Sequence, residues 1–262
     1  MIRVDIYLYR FGYTGSRKKA QDAISEGGVS IDGVQIKKAS AEIDETVPHQ
    51  VEIREACPFV GRGGLKLAGA LDAFHVSVGG LVAADIGAST GGFTDCLLQR
   101  GARKVFAIDS GFDQLAPSLR EEPRVVSIER FNARDISLEL LGEPCDLVVM
   151  DVSFISQTYI LPGVAKILKC GGRFISLIKP QFEAGKSAIG KNGIVRSSAY
   201  RFLAVKRVLH TAETLGLSCV GLIRSPIKGG DGNIEYLALF DFGSVQPSPL
   251  TDAQIKRLVE RE

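Results

Sequence analysis

The stretch Asp85-Ile86-Gly87-Ala88-Ser89-Thr90-Gly91-Gly92-Phe93-Thr94 follows the apolar run that begins at Leu81 and leads into a helical pattern. A short apolar run that ends in an acid and a glycine and then opens a helix is the first crossover of a parallel α/β sheet. Around it, strands are expected at Leu81–Ile86, Lys104–Ile108, Val125–Ile128, Leu147–Met150, Phe174–Ile178, Ser218–Ile223 and Ile234–Phe240, with helical patterns between most of them. This alternation predicts an α/β, Rossmann-like, mostly parallel sheet of seven strands. Arg224 to Asn233 carries no helix signal, so the last two strands are expected to be antiparallel.

An open sheet of this kind binds its ligand beyond the carboxyl ends of its parallel strands. The glycines of the quoted loop let backbone approach a ligand closely. Asp109, 22 residues after Gly87, ends the second strand, where a carboxylate can accept both hydroxyls of a ribose. GxGxxG is absent, which argues against NAD. Gly185-Lys186-Ser187 imitates the end of a phosphate loop, but Pro180 stands where the first glycine is required. An acid two residues before the first glycine fits an adenosyl ligand with an amino-acid tail. Asn132, after the third strand, is a candidate contact to the adenine edge; the competing reading is a turn-forming Asn.

The first forty residues are locally basic: Arg3, Arg10, Arg17, Lys18, Lys19, Lys37 and Lys38 face four acids, and residues 41–56 reverse the balance. Val4, Leu8 and Phe11 recur at helical spacing before Gly12. Ser16 can cap a second helix running to about Glu26, with Ala20, Ala23 and Ile24 inward and Gly27-Gly28 ending it. Val29-Ser30-Ile31, Asp32-Gly33 and Val34-Gln35-Ile36 then read as a hairpin. Arg17, Lys18 and Lys19 occupy the first turn of the second helix, where the dipole disfavours cations, so a polyanion is the simplest reason for them. The bland alternative is a solvated basic turn.

Four residues can serve chemistry at the same sheet edge. Asp151 ends the fourth strand, Lys179 ends the fifth, and Glu235 opens an antiparallel last strand whose beginning lies at that edge. Lys66, in Arg62-Gly-Gly-Leu-Lys66-Leu, lies on the segment leading into the domain and can close the site. Taken singly, Asp151 can be a helix cap, Lys179 a solvated lysine and Glu235 a strand residue paired with Lys228. Phe154 can stack on a flipped base or belong to the core. Asn/Asp-Pro-Pro-aromatic, typical of amino-group methylation, is missing after the fourth strand. Cys145 lies at the opposite edge and reads as structural.

The pattern Asp-x-Gly-x-x-x-Gly-Gly-Phe-Thr resembles the S-adenosylmethionine (SAM) loop of class I methyltransferases. The resemblance implies cofactor contacts from Asp85, Gly87, Ser89, Gly91, Gly92, Phe93, Asp109, Asn132 and Asp151. Ser16 to Gly33 resembles the RNA-binding domain named after ribosomal protein S-four, which implies contact with structured RNA, mostly through phosphates. Lys66, Asp151, Lys179 and Glu235, in that order around a SAM loop, resemble the tetrad of FtsJ-like ribose 2′-O-methyltransferases. Gly61-Arg-Gly-Gly-Leu-Lys66-Leu, Asp151-Val-Ser-Phe-Ile155 and Ile178-Lys179-Pro-Gln-Phe-Glu183 make the chain similar to the TlyA (hemolysin A) family. That family implies 2′-O-methylation of cytidine in ribosomal RNA, with ribosomal RNA or ribosomal subunits as partners. In such a tetrad Lys179 acts as a positive donor to the oxygen or as a base, and no metal is expected.

Composition provides ample material for a folded core and rules out intrinsic disorder. The chain has 262 residues, 45% hydrophobic and 24% charged, with a net charge of +2. No apolar stretch reaches the ~18 residues of a membrane span, and the N-terminus has no signal-peptide pattern, so a cytoplasmic protein without a membrane partner is expected. Five scattered cysteines and three scattered histidines predict neither disulfides nor a zinc site. The expected organisation is an RNA-binding domain at 1–56, a linker at 57–62, a methyltransferase domain at 63–243 and a tail at 244–262. In that tail, after Pro247 and Pro249, Thr251-Asp-Ala-Gln254 forms a capping box before a short helix with an Ile255, Leu258 and Val259 stripe. Two other function classes compete: a non-catalytic RNA-binding assembly factor and a membrane-active hemolysin.

Overall fold

The computed structural model describes residues 1–25, 27–53, 57–190, 193–229, 232–244 and 249–260, and it divides into two compact units, Met1–Pro58 and Phe59–Glu262. Glu26, Pro247 and the expected boundary after residue 56 fall outside the described residues.

The first unit holds β1 (Ile2–Arg3), α1 (Val4–Arg10), α2 (Arg17–Ser25), β2 (Val29–Ile31), β3 (Val34–Gln35), β4 (Glu42–Ile43) and β5 (Val51–Ile53). Ser16 Oγ accepts from Lys19 N at 3.1 Å and caps α2, and Gly28 N closes its far end on Ala23 O at 2.9 Å. Asp32 and Gly33 have φ of 51° and 77°, the two left-handed positions that a tight β2–β3 hairpin requires. Charge patterning alone hides β5, which pairs with β2, and β4, which pairs with β1. The core gathers Val4, Tyr7, Leu8, Ala20, Ala23, Ile24, Val29, Ile31 and Ile43. Phe11 does not join it. The helix stops at Arg10, so Phe11 is half exposed and lies over Tyr7 with ring centroids 4.5 Å apart.

The second unit runs α3 (Gly63–Ala73), β6 (Val82–Ile86), α4 (Gly92–Gln99), β7 (Lys104–Ile108), α5 (Pro117–Arg120), β8 (Val125–Ile128), α6 (Leu138–Leu141), β9 (Cys145–Met150), α7 (Leu161–Ile167), β10 (Leu168–Ile178), α8 (Pro180–Glu183), α9 (Ser198–Glu213), β11 (Leu217–Arg224), β12 (Tyr236–Phe242) and α10 (Asp252–Glu260). One seven-stranded sheet has the order β11-β12-β10-β9-β6-β7-β8, in which β12 alone runs opposite to the other six strands. The strand order reverses between β6 and β9, so the crevice opens where their carboxyl ends part. Apolar layers cover both faces, which is why the central strands read as unbroken apolar runs rather than alternating ones.

Most strand bounds shift by one or two residues from the sequence expectation, and two shifts have a structural reason or bear on the site. β10 begins at Leu168, six residues early, because Gly171 (φ 77°) and Gly172 form an irregularity inside the strand rather than a terminus. The last strand pairs from Tyr236, which leaves Glu235 as the residue just before it. In the tail, Thr251 N donates to Gln254 Oε1 at 2.8 Å and Gln254 N donates to Thr251 Oγ1 at 3.3 Å, a reciprocal capping box. Ile255 and Val259 are buried in the main core, and Leu258 packs against it.

Candidate functional site

The β6–α4 loop is shaped by contact with the next strand. Gly87 has φ 87°, and a Cβ there would lie 2.4 Å from Asp151 O, so a side chain would push the β6 and β9 ends apart. Asp85 is fully buried behind this loop. Thr94 Oγ1 donates to its Oδ2 at 2.7 Å, and Oδ1 has no hydrogen-bond partner. Burial pushes the carboxyl up to about 7, against the lowering effect of the Thr94 bond.

In front of the loop lies a cavity of about 470 Å³, lined by Gly87, Ser89, Asp109, Asn132, Asp151 and the apolar Ile108, Phe131, Ile155 and Ile160, among others. Beside it, a smaller cavity of about 220 Å³ is bordered by Arg62, Gly63, Gly92, Phe93 and Lys179, and shares Gly87, Ser89, Asp151 and Ser153. Asp109 is held from two sides: Ser89 N donates to its Oδ2 at 2.8 Å and Gly111 N to its Oδ1 at 2.7 Å. Each oxygen keeps a further lone pair for a ribose hydroxyl. Carboxylates at Asp109 and Asp151, with an apolar wall between Phe131 and Ile160, match the parts of SAM: ribose diol, adenine and charged tail. The residues fit the cofactor.

Of the sequence-predicted cofactor residues, Gly87, Ser89, Gly92, Phe93, Asp109, Asn132 and Asp151 line these cavities. Asp85 and Gly91 stand behind them; Gly91 (φ 97°) abuts Leu119 and Leu115 and shapes the loop. Asn132 serves the turn as well, because its Oδ1 accepts from Arg134 N at 3.1 Å. The apolar wall of Phe131, Ile155 and Ile160 was not anticipated, since nothing in an apolar residue's identity marks it as lining a cleft rather than a core.

Two ion pairs stand at the same edge. Lys179 Nζ lies 2.6 Å from Asp151 Oδ1 and donates to Ser153 Oγ at 2.8 Å. Lys66 Nζ donates to Glu235 Oε2 at 2.6 Å, and both side chains are buried. Antiparallel pairing of Ile178 with Tyr236 sets Glu235 opposite Lys179 in register, so the two pairs are neighbours. Glu235 therefore meets Lys66 and not Lys228. Ser153, a polar neighbour of Lys179, lies in the Asp151–Ile155 string without having been singled out. Phe154 is 92% exposed, with φ 64°, and its ring touches that of Phe182 at 5.2 Å. It is not a core residue. Cys145 is fully buried and burial pushes its thiol up to about 12, as expected of a structural cysteine.

In the first unit the basic residues divide. Asp5 is fully buried and receives Arg3 at 3.0 Å, Arg17 at 2.9 Å and Gln21 at 2.6 Å. Burial alone would raise its pKa, but these donors hold the carboxyl well below the usual range. Arg17 at the start of α2 thus has a reason inside the chain. Arg10 pairs with Glu45 and Lys18 with Asp22. Lys19, Lys37 and Lys38 are exposed and enter no ion pair among the described residues. Among those residues no three His, Cys, Asp or Glu side chains are grouped as metal ligands, and no helix is long and apolar enough to cross a membrane.

Comparison with known proteins places this geometry. Residues 59–242 match the FtsJ-like methyltransferase family and residues 2–46 match the S4 domain. Hemolysin A of Brachyspira hyodysenteriae is 44% identical over 240 residues, which cover 91% of this chain and 99% of that protein. The 16S/23S rRNA (cytidine-2'-O)-methyltransferase TlyA of Mycobacterium tuberculosis is 44% identical over 234 residues, covering 89% and 87%. A solved Streptococcus thermophilus chain of hemolysin-type name superposes with a TM-score of 0.77 at 41% identity, covering 98% of this chain and 94% of that one. With its S4 domain, its methyltransferase fold and these relatives, the chain belongs to the TlyA (hemolysin A) family of FtsJ-like methyltransferases.

Proposed function

We propose that this protein transfers a methyl group from SAM to the ribose 2′-hydroxyl of a cytidine in ribosomal RNA, in the cytoplasm. The observation that carries the reading is the adjacency of Lys66–Glu235 and Lys179–Asp151 at the mouth of the cavity that fits the cofactor. SAM, when bound, supplies a methyl group already activated on a sulfonium. The protein therefore has to place a poor nucleophile in line with it and favour the charge that develops on the oxygen.

Asp109 would hold the ribose diol of the cofactor, the Phe131–Ile160 wall its adenine, and Asp151 and the Gly87 loop its amino-acid end. Lys179, steadied by Asp151 and Ser153, presents an ammonium group to the attacking oxygen, whose proton passes to solvent water as the bond to the methyl carbon forms and that carbon's bond to sulfur breaks. Lys66, steadied by Glu235, positions that hydroxyl or the neighbouring phosphate. Side-chain charges alone thus furnish the electrostatics, and the reading assigns no role to a metal. Phe154, projecting beside Asp151, would stack on the base extruded from the RNA. Lys19, Lys37 and Lys38, with Arg3, Arg10, Arg17 and Lys18 as secondary contacts, would hold structured RNA or the ribosomal subunit through phosphates.

The test is nucleotide-resolution mapping of ribose methylation in ribosomal RNA from cells with and without the gene, together with transfer of labelled methyl by the purified protein. A cytidine mark lost without the gene, restored by the wild type and not by Lys179→Ala, is the expected result. An unchanged methylation map, or full transfer by Lys179→Ala, overturns the reading. The same assay decides against a non-catalytic assembly factor.

A further inference from the structure

The adenosine end of the larger cavity lies between two loops. Residues 109–116 follow β7 and give Asp109, Ser110 and Gln114 to its lining; residues 129–133 follow β8 and give Phe131, Asn132 and Ala133. β7 and β8 are parallel neighbours, so both loops leave the sheet at one edge. The backbone stitches them together beyond the strands: Phe131 N donates to Asp109 O at 2.9 Å and Arg130 N to Gly111 O at 2.8 Å. Gly111 N in turn donates to Asp109 Oδ1 at 2.7 Å. The carboxylate that fits the cofactor ribose is thus two hydrogen bonds away from Arg130.

Side chains add a second set of ties outside this stitch. Asp113 N donates to Glu129 Oε2 at 3.0 Å and Arg120 Nη2 to Glu129 Oε1 at 3.3 Å, while Arg120 Nη1 also pairs with Asp113. The Arg130 guanidinium lies over the Phe112 ring, 3.9 Å from its centroid. Phe112 is 61% exposed, so this stack serves no core. Asp113 and Arg130 have φ of 58° and 55°. A side chain in that region costs energy and persists where surrounding contacts over-determine it. Both residues stand where one loop meets the other, and the ties between the loops offset the cost. Phe112, Asp113, Glu129 and Arg130 lie behind the lining of the cavity, not in it.

We propose that Glu129 and the Arg130–Phe112 stack form a clasp that sets the spacing of the two loops for the adenosine half of SAM. They are positioning residues that act through Asp109 and Phe131 and touch neither cofactor nor RNA. The inference rests on the SAM part of the reading above, not on the identity of the methylated RNA. With the clasp loosened, the loops spend only a fraction of the time at the spacing that holds a ribose diol and an adenine, and the apparent Kd rises by the inverse of that fraction. The coupling is reciprocal, so bound SAM closes the clasp and slows hydrogen exchange at the Asp113 and Arg130 amides.

The test titrates the full chain with SAM and with its demethylated product, S-adenosylhomocysteine, by calorimetry. Glu129→Ala is expected to raise Kd roughly tenfold and Phe112→Ala at least threefold, approximately, by equal factors for both ligands because they share the adenosine. Phe112→Tyr keeps the stack and restores the affinity. At saturating SAM, kcat and the KM for RNA stay within about twofold of wild type, a split that general loss of structure does not produce. Phe112 is exposed, so its truncation spares the fold and keeps the test decisive if Glu129→Ala is unstable. A Kd within about twofold of wild type in Phe112→Ala, or a loss confined to kcat or to the KM for RNA, overturns the clasp. A SAM effect on exchange that leaves the Asp113 and Arg130 amides unprotected overturns it too. A wild type that binds SAM but methylates no ribose sinks the methyl-transfer reading alone, and the titrations still judge the clasp. A wild type that binds neither ligand sinks both.

Discussion

Lys66 Nζ and Glu235 Oε2 lie 2.6 Å apart although 169 residues of sequence separate them. One comes from the first helix of the catalytic unit and the other from the residue that precedes its last strand. A buried pair of this kind does not arise as surface decoration, because each partner removed leaves the other charge uncompensated.

Each single change, Lys66→Met or Glu235→Gln, should therefore lower stability by about 3–5 kcal/mol, and the double change should recover most of that loss. Methyl transfer should be lost in all three. Urea denaturation with SAM binding reads the first effect and labelled methyl transfer the second. Additive stability losses in the double variant would contradict the coupling.

Glu183 ties together the two loops that carry Asp151 and Lys179. Its Oε1 accepts from Gln157 N at 2.7 Å and its Oε2 from Ser156 Oγ at 2.6 Å, and Gln157 in turn reaches Leu177 O and Ser176. Burial raises the Glu183 pKa, with the two hydrogen bonds opposing. An acid raised in the folded state contributes stability below its unfolded value near 4.5, which declines as pH rises through the folded value. Glu183→Ala should cut kcat at least tenfold while leaving SAM affinity nearly unchanged. Glu183→Gln should keep activity and flatten the decline of stability above pH ~5, read from thermal melts across pH.

His49 links the hairpin turn to the following loop, with Nδ1 at 2.7 Å from Asp32 Oδ2 and Nε2 at 2.8 Å from Asp44 O. The Asp32 carboxylate, then the Asp44 carbonyl, raise its pKa above the ordinary imidazole value of 6.5. The stabilisation is therefore complete below pH 6.5 and is lost as pH rises through the raised value. Tm of the wild type should fall over that window, and His49→Gln should remove this component. A variant that retains the full pH dependence would exclude His49 as its source.

Phe154 combines near-complete exposure with a left-handed backbone. A bulky residue is strained there, so Phe154→Gly should gain about 1 kcal/mol of stability in denaturant unfolding. The same variant should lose methyl transfer through a weaker hold on the RNA base. A variant as active as wild type would separate Phe154 from the substrate.

Local signals made much of this legible. The caps of α2 and α10, the Asp32-Gly33 turn and the crossover at Gly87 each rest on a few adjacent residues whose backbone needs are specific. The edge that gathers Asp151, Lys179 and Glu235 followed from strand direction alone. Partner choice did not follow. Arg3 and Arg17 look like RNA contacts until the buried Asp5 claims them, and Glu235 could have met Lys228 as well as Lys66.

The position of β12 between β10 and β11 has a consequence for biosynthesis. Chains leave the ribosome from the N-terminus at roughly 5–20 residues per second. The slot between β10 and β11 stays vacant until residues 236–242 emerge, and Glu235 arrives with them. The nascent polypeptide thus lacks the complete candidate charge set until Glu235 has joined Lys66, Asp151 and Lys179, so the site waits on the central antiparallel strand of the sheet.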